Sequence, residues 1–413
     1  MLLLAFAGTL FVAVLLSHRA NRTILSTAVL FLVAGIVLGD GFVGAISFDA
    51  EDATVSVIAE IALFAVLFTD GMRAGWSDLR AAWRLPGRAL VLGLPLTLGI
   101  TAVLAHYLVG LGWPQALLIG AVLAPTDPVF ASALVGNARV PGRLRHLLNV
   151  ESGVNDGLAL PFVVIFLALS RGSNDLELAP LAGELALGLV IGVVLPWVAL
   201  SLENMSFFRA SRAYEPLSAL AVGLLVYAAA SLTHANLFIA SFAAGITLAS
   251  IGPRQAERFA EFGELISELL KLGALLVFGA LITPTFIGEI DPLGWVFALL
   301  AIVVARPVAL WFSFLRSRLS MREQAAAMWF GPKGFASVVY GLLVVESGIP
   351  DSDLIFHLVA LTVVISIILH SSTDVVVARA FDEPEETPHW QGAVPLEETS
   401  PTPEDVHPPG SER

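Results

Sequence analysis

The chain has no cysteine among its 413 residues. That excludes disulfides, thiolate metal sites and thiol nucleophiles, and leaves the redox compartment unmarked. Charge is also scarce, with 14% of residues charged against 57% hydrophobic. A soluble domain of this size has no need of so much apolar surface. Apolar runs of about 20 residues, the length that crosses a hydrocarbon core, recur instead and point to a polytopic α-helical membrane protein. No basic segment precedes the first apolar stretch: residues 2–16 are apolar, and His18, Arg19 and Arg22 follow them. This is the reverse of a cleaved secretory signal and suits a first span that starts outside. The sequence offers no nucleophile–base set and no cluster of metal-binding histidines, so an enzyme is not the expectation.

The net charge of −13 is unevenly spread, since nine acidic residues follow Phe381. Low hydrophobicity with high negative charge makes 382–413 an expected disordered, acidic cytoplasmic tail. Residues 1–373 read as one transmembrane domain. Thirteen spans are expected, at 2–17, 24–39, 54–71, 88–109, 115–135, 147–170, 180–201, 215–232, 235–251, 264–282, 293–314, 323–345 and 353–373. Loops after odd-numbered spans carry the arginines, among them Arg73, Arg80, Arg84, Arg139, Arg143, Arg209, Arg254 and Arg318. Loops after even-numbered spans carry Arg171 and many acids, including Asp40, Asp49, Glu289 and Asp351. The positive-inside rule then places the N-terminus outside and the C-terminus in the cytoplasm.

Ionisable groups within the spans carry the functional signal. A charge at bilayer depth costs roughly 2.5–3.5 kcal/mol on insertion scales, so such groups mark pathways before packing. Asp127 lies in Ala124-Pro125-Thr126-Asp127-Pro128 and Asp156 in Glu151-Ser152-Gly153-Val154-Asn155-Asp156-Gly157. Pro125 and Pro128 break the fifth span, and Pro332, flanked by Gly331 and Gly334 around Lys333, breaks the twelfth. Interrupted helices in corresponding places are the signature of inverted repeats with a midplane site. The repeats are spans 2–6 and 9–13, in which spans 5 and 12 are each fourth. On span 6, Ser152 and Asp156 share one row and Glu151 and Asn155 the next. This oxygen-rich stripe, with Thr126 and Asp127 beside it, suits a hard cation such as Na⁺ or Li⁺. A carboxylate there binds either a cation or a proton, and Asp156 is the expected competing acid. Asp127 has a plainer alternative as the cap of a half-helix.

Other groups have local explanations. Glu60 and Asp70 read as snorkelling or bundle-facing, with the lining of a funnel as the alternative. Glu264, Glu268 and Lys271, at helical spacing, read as a local pairing set, and Arg306 as seeking a structural partner. His106 and His234 lie near outer span ends and read as locally satisfied.

Thr-Asp-Pro in span 5, Glu-Ser-Gly-Val-Asn-Asp-Gly in span 6 and Gly-Pro-Lys-Gly in span 12 resemble the NhaP-type sodium/proton antiporters, within the cation:proton antiporter group that includes the sodium/hydrogen exchangers. The resemblance covers about 2–373. It implies an exchanger of a prokaryotic inner membrane that works in pH homeostasis by alternating access. It further implies a homodimer in the bilayer, without cofactor or nucleic-acid partner, in which spans 5 and 12 cross unwound in a core domain moving against a dimerisation domain. It implies a Na⁺ site around Asp156, Ser152, Glu151, Thr126 and Asp127, with Asn155 and Lys333 in support. Asn155, where some relatives carry a second Asp, resembles the electroneutral one-for-one class. At Lys333 the family usually has Arg, paired with the glutamate here at Glu151. The alternatives that stay open are K⁺/H⁺ exchange by the same machinery, a channel-like conductor, and a membrane sensor.

Overall fold

A computed structural model describes residues 1–20, 26–74, 85–127, 134, 136–137, 139–172, 178–203, 205 and 214–381. The expected acidic tail and, in the fifth span, residues 128–133 and 135 lie outside the described residues. Among those described there is no strand. The helices longer than two turns are α1 (Leu2–Ala20), α2 (Thr27–Leu38), α3 (Ala53–Arg73), α4 (Pro86–Val109), α5 (Trp113–Val122), α6 (Gly142–Ser170), α7 (Leu178–Glu203), α8 (Glu215–Thr233), α9 (Leu237–Ile251), α10 (Pro253–Leu281), α11 (Pro292–Ser313), α12 (Met321–Trp329), α13 (Phe335–Glu346) and α14 (Ser352–Arg379). Among the described residues, six helices are individually long and apolar enough to cross a membrane: α3, α4, α6, α11, α14 and Ala179–Glu203 within α7. Shorter apolar helices fill the remaining runs.

Sequence chemistry sets the helix ends. Ser26 accepts from the Val29 N–H at 3.3 Å to start α2, and Asn236 accepts from Ile239 at 3.0 Å to start α9. Ser320 and Glu323 form a reciprocal capping box at the start of α12. His106 is satisfied by the Leu111 carbonyl at 2.7 Å, and His234 closes α8 with φ of 55°. Glu60 accepts from the Tyr227 hydroxyl at 2.7 Å. The helix expected from residue 264 begins at Pro253. Gly252 alone separates it from α9, and the chain turns by 116° there.

Two structural echoes run through the bundle. α4 and α11 each widen into a π turn, at Ala89–Gly93 and Ala301–Ala305, and α4 ends in a further one at Ala105–Val109. Each of the first two lies just ahead of a proline, Pro95 and Pro307. Proline has no N–H to give and its ring presses on the carbonyl four residues back, so the helix opens there. Close crossings also recur. α2 meets α10 where a Cβ on Gly35 or Gly279 would strike the opposing backbone, and α3 meets α9 in the same way at Gly71 and Gly245. Only small residues let backbones approach so closely.

Candidate functional site

α5 ends at Val122 because Pro125 cannot extend its hydrogen-bond ladder, and Ala124–Asp127 runs non-helical. α12 ends at Trp329, with Phe330–Gly334 unwound around Pro332 before α13 resumes. The two breaks touch. The Asp127 N–H donates to the Pro332 carbonyl at 2.9 Å, and a Cβ on Gly334 would collide with that of Asp127. Unwound backbone at membrane depth is tolerated only inside protein or against a water-filled cavity, and these residues are buried.

α6 lays its polar stripe along this crossing. Ser152 Oγ lies 3.1 Å from Thr126 Oγ1, and the Asn155 amide donates to the same Thr126 oxygen at 2.7 Å. Asp156 is buried one residue on, at 6% exposure. Its Oδ1, like Oδ1 of Asn155, receives no hydrogen bond from the described residues. From α13 the buried Tyr340 hydroxyl donates to the Asp156 backbone carbonyl at 2.8 Å, which fixes this turn of α6 against the second half of the twelfth span.

The charged residues fall into two groups. In the first, the Lys271 ammonium of α10 lies 3.2 and 3.4 Å from the Asp127 carboxylate oxygens. Lys271 thus reaches across helices, and the local pairing expected from its spacing to Glu264 and Glu268 is not what forms. Asp70 of α3, also buried, sits 3.5 Å from Arg73, which in turn pairs with Glu264 at 2.6 Å. In the second group, Arg306 of α11 grips Glu151 with both guanidinium nitrogens, at 2.6 and 3.1 Å. Arg306 also donates to the Phe330 carbonyl at 3.2 Å. The glutamate whose partner the resemblance put at Lys333 is therefore held by Arg306, and both its oxygens, expected to face a cation, face a guanidinium. Lys333, only 1% exposed, points instead to the Ala124 carbonyl at 3.5 Å, at the end of α5. The chain has just two lysines, and both lie at this crossing.

The structure thus brings together Thr126, Ser152, Asn155, Asp156 and Asp127, and sets Glu151 aside with Arg306. Sequence reasoning missed Asp70 and Lys271 as members of the site. The signal was there in a buried acid and a buried lysine within apolar runs; what was absent was any local cue to their partners.

Residues 6–379 match the family described as sodium/hydrogen exchanger, transmembrane. Over 377 residues the chain is 28% identical to the K(+)/H(+) antiporter NhaP2 of Shewanella sp. (strain MR-4), covering 89% of this chain and 65% of that protein. It is 27% identical over 375 residues to the K(+)/H(+) antiporter NhaP of Alkalimonas amylolytica, covering 89% and 64%. The chain therefore spans just under two thirds of the length of these relatives. The fold is similar to that of the sodium proton antiporter MjNhaP1 from Methanocaldococcus jannaschii at pH 8, with a TM-score of 0.72 at 20% identity over 91% of this chain and 96% of that one. The match spans α1 to α14, both broken helices and the polar stripe of α6 between them, and the chain belongs to the sodium/hydrogen exchanger family.

Proposed function

We propose that this chain is a monovalent cation/proton antiporter that exchanges Na⁺ or Li⁺ for H⁺, one for one, by alternating access across a prokaryotic inner membrane. The observation that carries the reading is the buried Asp156 carboxylate, whose Oδ1 accepts no hydrogen bond from the described residues. Beside it stand a second such oxygen, on Asn155, and the Thr126–Ser152 hydroxyl pair. A buried acceptor without a donor is costly unless a proton or a cation satisfies it, and competition between the two for one acid is an exchange mechanism.

In this reading residues 1–373 form thirteen spans, with the N-terminus outside, the acidic tail 382–413 in the cytoplasm, and the protein a homodimer. Inverted repeats of spans 2–6 and 9–13 are supported by matched irregularities. The fourth helices are both broken and the third helices both carry a π turn before a proline. The glycine crossing of α2 with α10 has its counterpart in that of α9 with α3. Asp156 is the titrating ligand, Ser152 and Thr126 supply neutral oxygens, and Asn155 and Lys333 support them. Glu151 serves as a brace through Arg306.

A second reading, K⁺/H⁺ exchange by the same machinery, is favoured by the names of the two curated relatives at 27–28% identity. One assay decides both coupling and ion. In everted vesicles, Na⁺, Li⁺ and K⁺ are added across a pH series while dequenching of a ΔpH dye is followed. Saturable, proton-coupled flux is expected, with none in Asp156→Asn, whose amide neither titrates nor binds a cation tightly. Near-normal exchange in that variant refutes the assignment, and uncoupled, non-saturating flux would favour a channel.

A further inference from the structure

Lys271 stands at a junction. It is carried by α10, which packs on α2 and α3, whereas Asp127 and Asp156 belong to the break after α5 and to α6, which pack on each other. The Asp127–Lys271 pair therefore ties one group of helices to another. Its setting is graded. On the α10 face that bears Lys271, Glu268 is half-buried one turn back and Glu264 is exposed two turns back. α3 adds the buried Asp70 and, beyond it, Arg73, paired to Glu264. An acidic approach thus leads inward from Glu264 and ends at Lys271, whose side chain is 14% exposed.

We propose that Lys271 is a tethered counter-cation: its ammonium takes the Asp127 side of the pocket in place of the transported ion and so sets the apparent cation affinity. This rests on the reading that the ion is held at Asp156. An alkali cation and an ammonium carry the same charge, and Lys271 is held on Asp127, next in the chain to the Thr126 that meets Ser152 and Asn155 beside Asp156. A cation arriving at Asp156 therefore meets repulsion from Lys271, which has somewhere to go. Its four-carbon stem is flexible, and Glu268 and Asp70 offer acceptors on the approach side. An arginine or lysine facing lipid could not act in this way, and a neutral residue at 271 would leave the cargo without a competitor. In this role Lys271 stays charged throughout the cycle.

The test uses the full chain in proteoliposomes, with initial rates measured against Na⁺, Li⁺ and K⁺ concentration at fixed pH. Lys271→Met is expected to lower the apparent KM about tenfold, the scale of one unit charge acting on another about 12 Å away at an effective protein dielectric of about 20. Lys271→Arg is expected to stay near the parent KM. A structural brace would instead reduce rate or yield with KM unchanged, and that result overturns the proposal. Because Lys271→Met strips a buried carboxylate of its partner, a second comparison covers the case in which it fails to accumulate. Asp127→Asn removes the carboxylate that holds the ammonium and leaves its charge to oppose a cation at Asp156, and KM should rise about tenfold. Adding Lys271→Met to that variant should bring KM back down, and an absence of recovery overturns the proposal. Asp156→Asn in the same series separates the two levels. Exchange surviving there overturns the site itself, while its loss beside unchanged KM in the Lys271 variants overturns only the role of Lys271.

Discussion

Replacing Glu151 with glutamine keeps the shape of the side chain and removes one charge from a pair in which both side chains are 5% exposed. Stripping one partner from a buried ion pair costs about 3–5 kcal/mol, because the other charge stays desolvated without compensation. Here Arg306 keeps its bond to the Phe330 carbonyl at 3.2 Å, which places the expected loss at the lower end, about 3 kcal/mol. That is on the order of a hundredfold in the folded-to-unfolded ratio. Thermal unfolding in detergent, followed by intrinsic fluorescence, should therefore show Glu151→Gln melting several degrees below the parent. Arg306→Met should fall at least as far, since it leaves a bare carboxylate. The double variant Glu151→Met/Arg306→Met, which removes both charges, should recover much of the loss, giving a coupling energy well above that of an exposed pair. A Glu151→Gln protein that melts with the parent, or a double variant whose loss is the sum of the singles, refutes the reasoning. The same samples distinguish brace from ligand. Assayed well below its melting point, Glu151→Gln should still exchange; loss of exchange in a fully folded protein would make Glu151 a ligand after all.

Two further substitutions probe the crossing. Gly334→Ala puts a methyl group into the Asp127 Cβ, and overpacking of this kind costs about 1–3 kcal/mol. The melting temperature and exchange should both fall, whereas Gly99→Ala, where a Cβ meets nothing within 4 Å, should be silent in both measurements. Lys333→Met takes the cation away from the end of α5, an effect of up to about 2 kcal/mol where the site is partly buried, and should impair exchange. Lys333→Arg restores the charge and should retain a substantial part of the transport rate; complete loss there would mean that a proton on Lys333, not its charge at the helix end, is what the cycle needs.

What was legible in the sequence was whatever the backbone enforces locally. Pro125 and Pro332 stop their helices wherever the rest of the chain goes, so both breaks stand where the prolines put them. The i, i+4 rule placed Ser152 with Asp156 before any fold was known. Partners across the bundle were not legible. Arg306 plainly needed a counter-charge, but the one it found lies 155 residues away, and nothing in its own neighbourhood names Glu151. Lys271 shows how the local rule misleads. Its spacing to Glu264 and Glu268 favours pairing on α10, yet such pairs at exposed positions contribute only a few tenths of a kcal/mol. The buried Asp127 carboxylate offers an ammonium far more. The same contest of local against tertiary terms moved the start of α10 back to Pro253, because a proline at the first helical position and a charged, amphipathic first turn make good helix outside the hydrocarbon.

The pairings also decide how many charges the pocket has to spare. α5 and α12 each end on carbonyls at the crossing, the negative poles of two half-helices. Lys333 answers the first at Ala124 and Arg306 the second at Phe330. Arg306 is itself matched by Glu151, and Asp127 is matched by Lys271. Asp70 shares Arg73, at 3.5 Å, with Glu264. Among the described residues that leaves Asp156 as the buried acid of the crossing with no ion-pair partner of its own. Under the proposed function a single spare carboxylate holds one cation or one proton, and the site carries the same charge in either loaded state. Asn155, an amide next to that acid, adds a ligand oxygen without adding a second charge. Under the same proposal electroneutral exchange follows from the pairing of Asp127 and Glu151, and Lys271, by neutralising Asp127, is as much a part of that count as Asp156 itself.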